Sequence, residues 1–367
     1  LKFEQLKNVD LDRMNVLALG DRLSSAYQSI VEVTNLFGKL TYTSEHGFRD
    51  VQDFIDYLRG QTFNIVMMPN PYGNGRRLAI YRALKGMTFP VVVWDRGGLP
   101  DSWFFDTGFN ADSESYRLLN WDKKLPIGAD DEIESYIQHL KEEAFPLERQ
   151  GPRVGGRALR KKLGLDGKKI LFVPFQRPSD TTVKYFSGSV SSFEQFVSLI
   201  DDISNLLAIH SPEWSIVAKR HPLEVKNPPA GVIFVEDDVH IHDLLDACDA
   251  VCLINSGVGL LAAAFNKPVL YFGKTYYGHP KLNRKVETAD DVVVYLQDDL
   301  FIVDKCTRNR LFFHLKNRIY SFGKSKMEIV KQKDGSLRNI VREIDFYDVK
   351  LPACVSKLKK KFSLLPR

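Results

Sequence analysis

Short, β-rich apolar runs alternate with amphipathic stretches along the first third of the chain. Asn15-Val16-Leu17-Ala18-Leu19-Gly20, Asn64-Ile65-Val66-Met67-Met68 and Pro90-Val91-Val92-Val93-Trp94 have the unbroken apolar character of parallel strands covered on both faces. Between them, residues 22–36 and 50–59 carry apolar side chains at helical spacing, as the crossovers of βαβ units do. Residues 122–167 are polar and charged, punctuated by Pro126, Pro146, Pro152 and Gly155-Gly156, and read as a hinge. A second strand series follows at 169–175, 214–218, 232–235, 250–254 and 268–272, with helical stretches at 193–208, 241–248 and 258–265. The expected organisation is a Rossmann-like domain over residues 1–150, a second over 151–320, and a helical segment with a basic tail over 321–367. Open α/β sheets bind ligands beyond the carboxyl ends of their strands, so two such domains joined by a hinge should share a cleft there.

Composition narrows the class. With 44% hydrophobic and 26% charged residues, the 367-residue chain is an ordinary globular protein, and no internal repeat or low-complexity tract appears. Lys plus Arg exceeds Asp plus Glu by 51 − 46 = 5, which suits a phosphate-bearing ligand and falls short of a nucleic-acid binder. Cys248, Cys252, Cys306 and Cys354 have no CxxC spacing, so zinc and a disulfide framework are not expected, and reduced thiols point to the cytoplasm. No run of 18 or more apolar residues occurs, and Leu1-Lys2-Phe3-Glu4 does not open a secretory signal. With no initiator Met, that expectation holds only for the sequence given. The tail Lys357-Leu-Lys-Lys-Lys-Phe-Ser-Leu-Leu could lie on an anionic membrane surface or simply be solvated.

Candidate chemistry gathers after the strands. In the stretch from Asp249 to Gly273, Ser256 and Gly257 stand between a strand and a helix. Helix N-termini hold phosphate through orphan N–H groups, and Asn255 and Ser256 could equally be plain caps. Gln176 and Asp180 follow the strand ending Phe172-Val-Pro-Phe; Asp180 could be a nucleophile or base, or cap a helix beginning at Thr181. Lys219, Arg220 and His221, stopped by Pro222, could neutralise a phosphate or a sugar carboxylate. In the first domain, Asp95 and Arg96 end a strand, with Asp95 a candidate acid or base or a turn former. Asp21, Arg22, Glu45 and His46 are weaker candidates for an acceptor site on the same face. Asp237, Asp238, His240 and His242 resemble a metal cluster but lead into an amphipathic helix, and a nucleoside contact suits Asp238 and His242 better. Neither a P-loop nor a Gly-x-Ser-x-Gly elbow is present, and Gly257-x-Gly259-x-x-Ala262 is only a relaxed dinucleotide fingerprint.

Gln176-x-x-x-Asp180, Lys219-Arg220-His221-Pro222, Asn255-Ser256-Gly257-Val258-Gly259 with Asn266-Lys267-Pro268-Val269, and Trp94-Asp-Arg-Gly-Gly-Leu-Pro-Asp-Ser-Trp-Phe-Phe-Asp106 running on to Ser113-Glu-Ser-Tyr116 stand in an order that resembles the capsule polysaccharide synthesis family. That family includes the retaining β-Kdo transferases of capsule and lipopolysaccharide assembly. The resemblance spans roughly residues 90–280. It implies a GT-B fold, two Rossmann-like domains facing a central cleft with C-terminal helices packing across the hinge, the first on the acceptor side and the second binding a CMP-sugar. It further implies CMP-Kdo as donor, no metal or other cofactor, and retention of configuration. Asp180 would be the nucleophile, His221 would sit beside the donor sugar, Arg220 would hold the Kdo carboxylate, and Asn255 and Ser256 would meet the CMP phosphate. Gln176, Lys219 and Gly257 would complete the donor side. Where the family pattern has Glu, this chain has the shorter Asp95. A glycan or lipid-linked oligosaccharide acceptor, peripheral contact with the cytoplasmic face of the inner membrane, and additional glycosyltransferase modules are the expected partners.

Two other readings stay open. One is a GT-B transferase using CMP-sialic acid or a UDP-sugar; the other is a non-catalytic two-lobed sugar-binding protein, which shares a hinge-closing cleft and needs no nucleophile.

Overall fold

The computed structural model describes residues 14–20, 27, 29–30, 38–143, 150–220, 229, 231–298, 302–331, 337–350 and 352. The chain forms two compact units, Leu1–Leu119 with His314–Arg367, and Asn120–Phe313.

In the first unit, β1 (Asn15–Leu19), β2 (Lys39–Thr43), β3 (Ile65–Pro69) and β4 (Val91–Arg96) are parallel, and β5 (Ser102–Asp106) turns back antiparallel to β4. Two long strands from the end of the chain, β12 (Ser321–Lys331) and β13 (Leu337–Asp348), complete a seven-stranded sheet in the order β13-β12-β5-β4-β3-β1-β2. Val341 and Ile344 of β13 join Val16, Ile65, Met67, Val92 and Phe105 in one core. The helix Val51–Arg59 starts where the Asp50 carboxylate accepts from Asp53 N (2.9 Å), buries Phe54, Ile55 and Leu58, and stops at Gly60.

Every described strand of the second unit is parallel: β6 (Lys169–Pro174), β7 (Trp214–Lys219), β8 (Val232–Phe234), β9 (Ala250–Leu253), β10 (Val269–Tyr271) and β11 (Asn283–Lys285), in the order β11-β10-β9-β6-β7-β8. Strand pleating sends alternate side chains to opposite faces. Leu171, Val173, Ala250 and Cys252 accordingly feed one core, and Ile170, Phe172, Val251 and Leu253 the other. The helix Phe193–His210 covers the first face with Phe196, Ile200, Ile203 and Leu207, a helical stripe whose members each contribute roughly 1.5–3 kcal/mol by burial. Ser192 accepts from Gln195 N (3.2 Å) and fixes its start. Helices Gly156–Lys162, Ile241–Ala247 and Val258–Ala264 supply Leu159, Leu244, Leu245 and Ala262 to the opposite core.

Three expectations change. The first unit does not extend to residue 150; the chain enters the second unit at Asn120 and returns to the first at His314. Residues 321–367 were expected to be helical, yet β12 and β13 pair antiparallel from Phe322 opposite Asp348 to Lys331 opposite Leu337. Their alternation of charged and apolar residues, as in Glu343-Ile344-Asp345-Phe346, has the period of a strand. The expected hinge at 122–167 is, where described, part of the second unit. Its Arg153–Gly155 stretch is fastened by the buried Asp243 carboxylate, which accepts from Val154 N (2.7 Å), Gly155 N (3.1 Å) and Arg153 Nε (3.2 Å). Among the described residues, no helix is long and apolar enough to cross a membrane.

Candidate functional site

In the second unit the strand order reverses between β6 and β9, because the chain builds β6, β7 and β8 outward and then returns to the other side of β6. A crevice at the carboxyl ends of two such strands is where doubly wound sheets take ligands. Gln176 and Asn255 follow these two strands, and they bond to each other. Gln176 Nε2 donates to Asn255 Oδ1 (3.1 Å) and Thr182 Oγ1 (3.2 Å), and Asn255 N donates to Gln176 Oε1 (3.3 Å). Asn255 Nδ2 donates to the carbonyls of Thr182 (2.9 Å) and Phe186 (2.8 Å). Both amides are buried with donors and acceptors engaged. The pair, of which Asn255 was expected to meet a phosphate and Gln176 the donor, forms a clasp that ties both strand ends to the helix Thr181–Phe186. Thr182 is its third member.

Asp180 stands at the N-cap position of that helix, but its side chain makes no capping bond. Its Oδ2 turns back to accept from Arg177 N (3.2 Å), and the residue is half-buried. The capping alternative weighed from the sequence is thus not what this carboxylate does. The Ser256 hydroxyl accepts from Val258 N at 3.2 Å, while Gly257 holds the N-cap position of the helix Val258–Ala264. Gly257 is exposed with φ −57°, and a Cβ built there meets nothing within 4 Å, so neither backbone nor packing demands a glycine. Gly259 is different: a Cβ there would lie 2.4 Å from Tyr277 Oη, which itself donates to Ser256 O (2.6 Å).

Of the cations after β7, Lys219 is buried and its ammonium donates to the carbonyls of Asp237 (3.0 Å) and Val239. There the residue expected to neutralise a phosphate or sugar carboxylate acts as a strut under the β8–helix loop. Arg220 is half-buried, lies 5.8 Å from the centre of the Phe234 ring, and its Nε finds no hydrogen-bond partner. His221 lies outside the described residues. Asp237 and Asp238 are exposed, whereas His240 and His242 are buried with their rings 5.0 Å apart. Burial, reinforced by His240 and Arg153, holds His242 down to about 4. Its Nδ1, on the residue expected to meet the nucleoside, is enclosed without a hydrogen-bond partner. Among the described residues, no three His, Cys, Asp or Glu side chains group to hold a metal ion. Cys248 and Cys252 are free and buried, each thiol pushed up to about 12 by desolvation.

In the first unit, Asp95 is the penultimate residue of β4, beside Asn70, which follows β3. Burial raises its pKa, opposed by the Arg96 N–H and charge and by the Asn70 amide. Arg96 is exposed, as is His46 in the short turn Glu45–Gly47. Glu45 is buried and paired with Arg77. Asp21 and Arg22 lie outside the described residues.

These units define an α/β protein of the GT-B class. The fold is shared with two solved structures from Thermosulfurimonas dismutans. One is KpsC, described as a β-Kdo 2,4 transferase (15% identity, TM-score 0.58, covering 89% of this chain and 95% of that one). The other is KpsC, described as a β-Kdo 2,7 transferase (16% identity, TM-score 0.54, covering 95% and 98%). More particularly, residues 154–294, which lie within the second unit and contain the clasp, match the model of a family described as capsule polysaccharide biosynthesis protein. The sequence resemblance to that family stands on this match. Curated proteins provide no match.

Proposed function

We propose that this chain is a glycosyltransferase of capsule polysaccharide synthesis that moves Kdo from CMP-Kdo to a glycan acceptor with retained configuration. The observation that carries the reading is Asp180: a carboxylate beside the β6/β9 crevice, inside the stretch that matches the capsule family, and not spent on the helix it precedes. In the first displacement an Asp180 oxygen bonds the anomeric carbon while the bond from that carbon to the phosphate oxygen breaks, and CMP departs with the electron pair. In the second, an acceptor hydroxyl oxygen attacks the same carbon, the Asp180 carboxylate leaves, and the hydroxyl proton passes to Asp95. Two inversions give retention.

The activated donor needs stabilisation of developing charge more than a strong acid. Arg220, with an uncommitted Nε, is the partner for the sugar carboxylate. The open space over Gly257 lets the phosphate approach the backbone, with Ser256 beside it and Asp238 on the nucleoside side. No cofactor is required, and the reaction takes place on the cytoplasmic side, where CMP-Kdo is made available to the lipid-linked acceptor. The test is intact mass after brief incubation with CMP-Kdo and no acceptor, together with thermal shift by CMP, UDP and their sugars. A mass increase of one Kdo residue mapped to Asp180, with CMP giving the larger shift, is expected. An unmodified protein that releases no CMP when acceptor is added overturns the proposal.

A further inference from the structure

The two strand-end carboxylates of the proposed reaction are held differently, and the support of Asp95 is built from residues with no other evident task. β3 and β4 run in register with Pro69 opposite Trp94, so Asn70 and Asp95 are the next residues out at the same sheet end. The Asn70 Oδ1 accepts from Tyr72 N (3.0 Å), which fixes the amide so that its NH2 faces outward to donate to Asp95. The Asp95 Oδ1 also accepts from Arg96 N at 2.7 Å.

The loop bearing Asn70 is itself clamped. Arg77 donates through NH1 to the Asn70 carbonyl (3.2 Å) and through NH2 to Glu45 Oε1, which also accepts from Asn74 Nδ2 (2.7 Å). Asn74 Oδ1 in turn accepts from Arg77 N (2.8 Å). The Glu45 and Arg77 side chains are 2% and 13% exposed, so this ion pair is nearly out of water. Such a pair is weak evidence for stability but a strong geometric constraint.

We infer that Asn70 is a positioning residue that orients the Asp95 carboxylate, and that Glu45 and Arg77 hold Asn70 in place for that task. The inference rests on the role proposed above for Asp95 as the base toward the acceptor hydroxyl. A base must be ionised at working pH, yet burial at this site favours the neutral acid. An amide N–H from the neighbouring strand offsets that without adding a counter-charge. Among the described residues, the charge that acts on Asp95 is that of Arg96 on its own strand.

The test compares Asn70→Ser, whose hydroxyl can still accept from Tyr72 N but is too short to reach Asp95, with Asn70→Ala, Asp95→Asn and the double variant Asn70→Ser/Asp95→Asn. The expected result is a 10–100-fold lower kcat/KM for Asn70→Ser, its acidic limb moved to higher pH, and no further loss when the substitution is added to Asp95→Asn. Carbon-13 NMR titration of the Asp95 carboxyl should show a higher pKa in Asn70→Ser at unchanged thermal stability, and this readout needs no substrate. If the titration shifts while no donor supports transfer, the reading of the reaction fails and the positioning role survives. An unmoved Asp95 titration in a folded Asn70→Ser protein overturns the inference, as does an equal loss of activity in the Asp95→Asn background. Should Asn70→Ala alone unfold, the serine variant still decides.

Discussion

The carboxyl ends of β6 and β9 in one unit and of β3 and β4 in the other do the same structural job, holding an acid where a strand stops, with opposite chemistry. In the second unit the scaffold is neutral: the amides of Gln176 and Asn255 satisfy one another and nearby carbonyls. In the first unit it is ionic, with the Glu45–Arg77 pair tied to Asn70. A neutral clasp loses about 1–3 kcal/mol when one buried group is orphaned. A buried ion pair that loses one partner strands a charge, at a cost of about 3–5 kcal/mol. The difference teaches that the acid proposed as nucleophile is set on a support indifferent to pH, whereas the acid proposed as base depends on a support sensitive to single substitutions.

The comparison can be broken at several points. The largest effect belongs to Asp180→Asn, expected to lower transfer on the order of 10⁴-fold while leaving the thermal midpoint near that of the parent; steady-state CMP release measures it, and near-parental turnover would remove the nucleophile from the scheme. Next, Arg77→Met should cost about 3–5 kcal/mol in urea unfolding, most of it recovered in Glu45→Gln/Arg77→Met. Equal costs for the single and double variants would show that the pair is not the stress point of the first unit. Burial acts to raise the Glu45 pKa, but its own backbone N–H, Arg77 and Asn74 together outweigh burial and hold it below its usual value. The stability this contributes is present above the unfolded carboxyl pKa of 4.5 and is lost as pH falls through the folded value.

His242 tests whether the second unit has a pH-sensitive point of its own, away from the clasp. The folded chain keeps it neutral down to about 4, whereas the unfolded chain takes up a proton near 6.5. Stability should therefore fall as pH drops across that window, by about 3 kcal/mol. Thermal midpoints of the parent and His242→Phe between these limits measure it; parallel curves would show that the ring titrates normally. The smallest expected effect on folding is at Gly257, where Ala should change stability by less than about 1 kcal/mol yet weaken CMP-sugar binding about tenfold or more. Gly259→Ala is the contrast, since its Cβ collides with Tyr277 and should show up first in unfolding.

Most of the parallel strands were legible because strands buried on both faces leave unbroken apolar runs, as in Ile170-Leu171-Phe172-Val173. The short strands β2 and β11 leave no such run: Lys39–Thr43 and Asn283–Lys285 are edge strands with polar, partly exposed residues. The terminal hairpin was missed although Asp334-Gly335 between two alternating runs is a hairpin signature; basic residues drew attention to the tail instead. At the site, the sequence located polar residues at strand ends but not which way they face. Gln176, Asn255 and Lys219, read as ligand contacts, are also bonded within the fold, and an amide or ammonium engaged by the fold looks the same in sequence as one left for a ligand. Asn70 went unnoticed for the converse reason. Its Asn-Pro step reads as an ordinary turn, and only the register of β3 against β4 brings it to Asp95.

The first unit is split in sequence, with its last two strands arriving only after the whole of the second. During synthesis β5 has β4 on one side and, until Ser321 and Phe322 emerge, bare backbone on the other. An open strand edge invites pairing with foreign chains. The ribosome thus releases a finished second unit before the first can close, and the closing hairpin acts as a late seal on the nascent sheet.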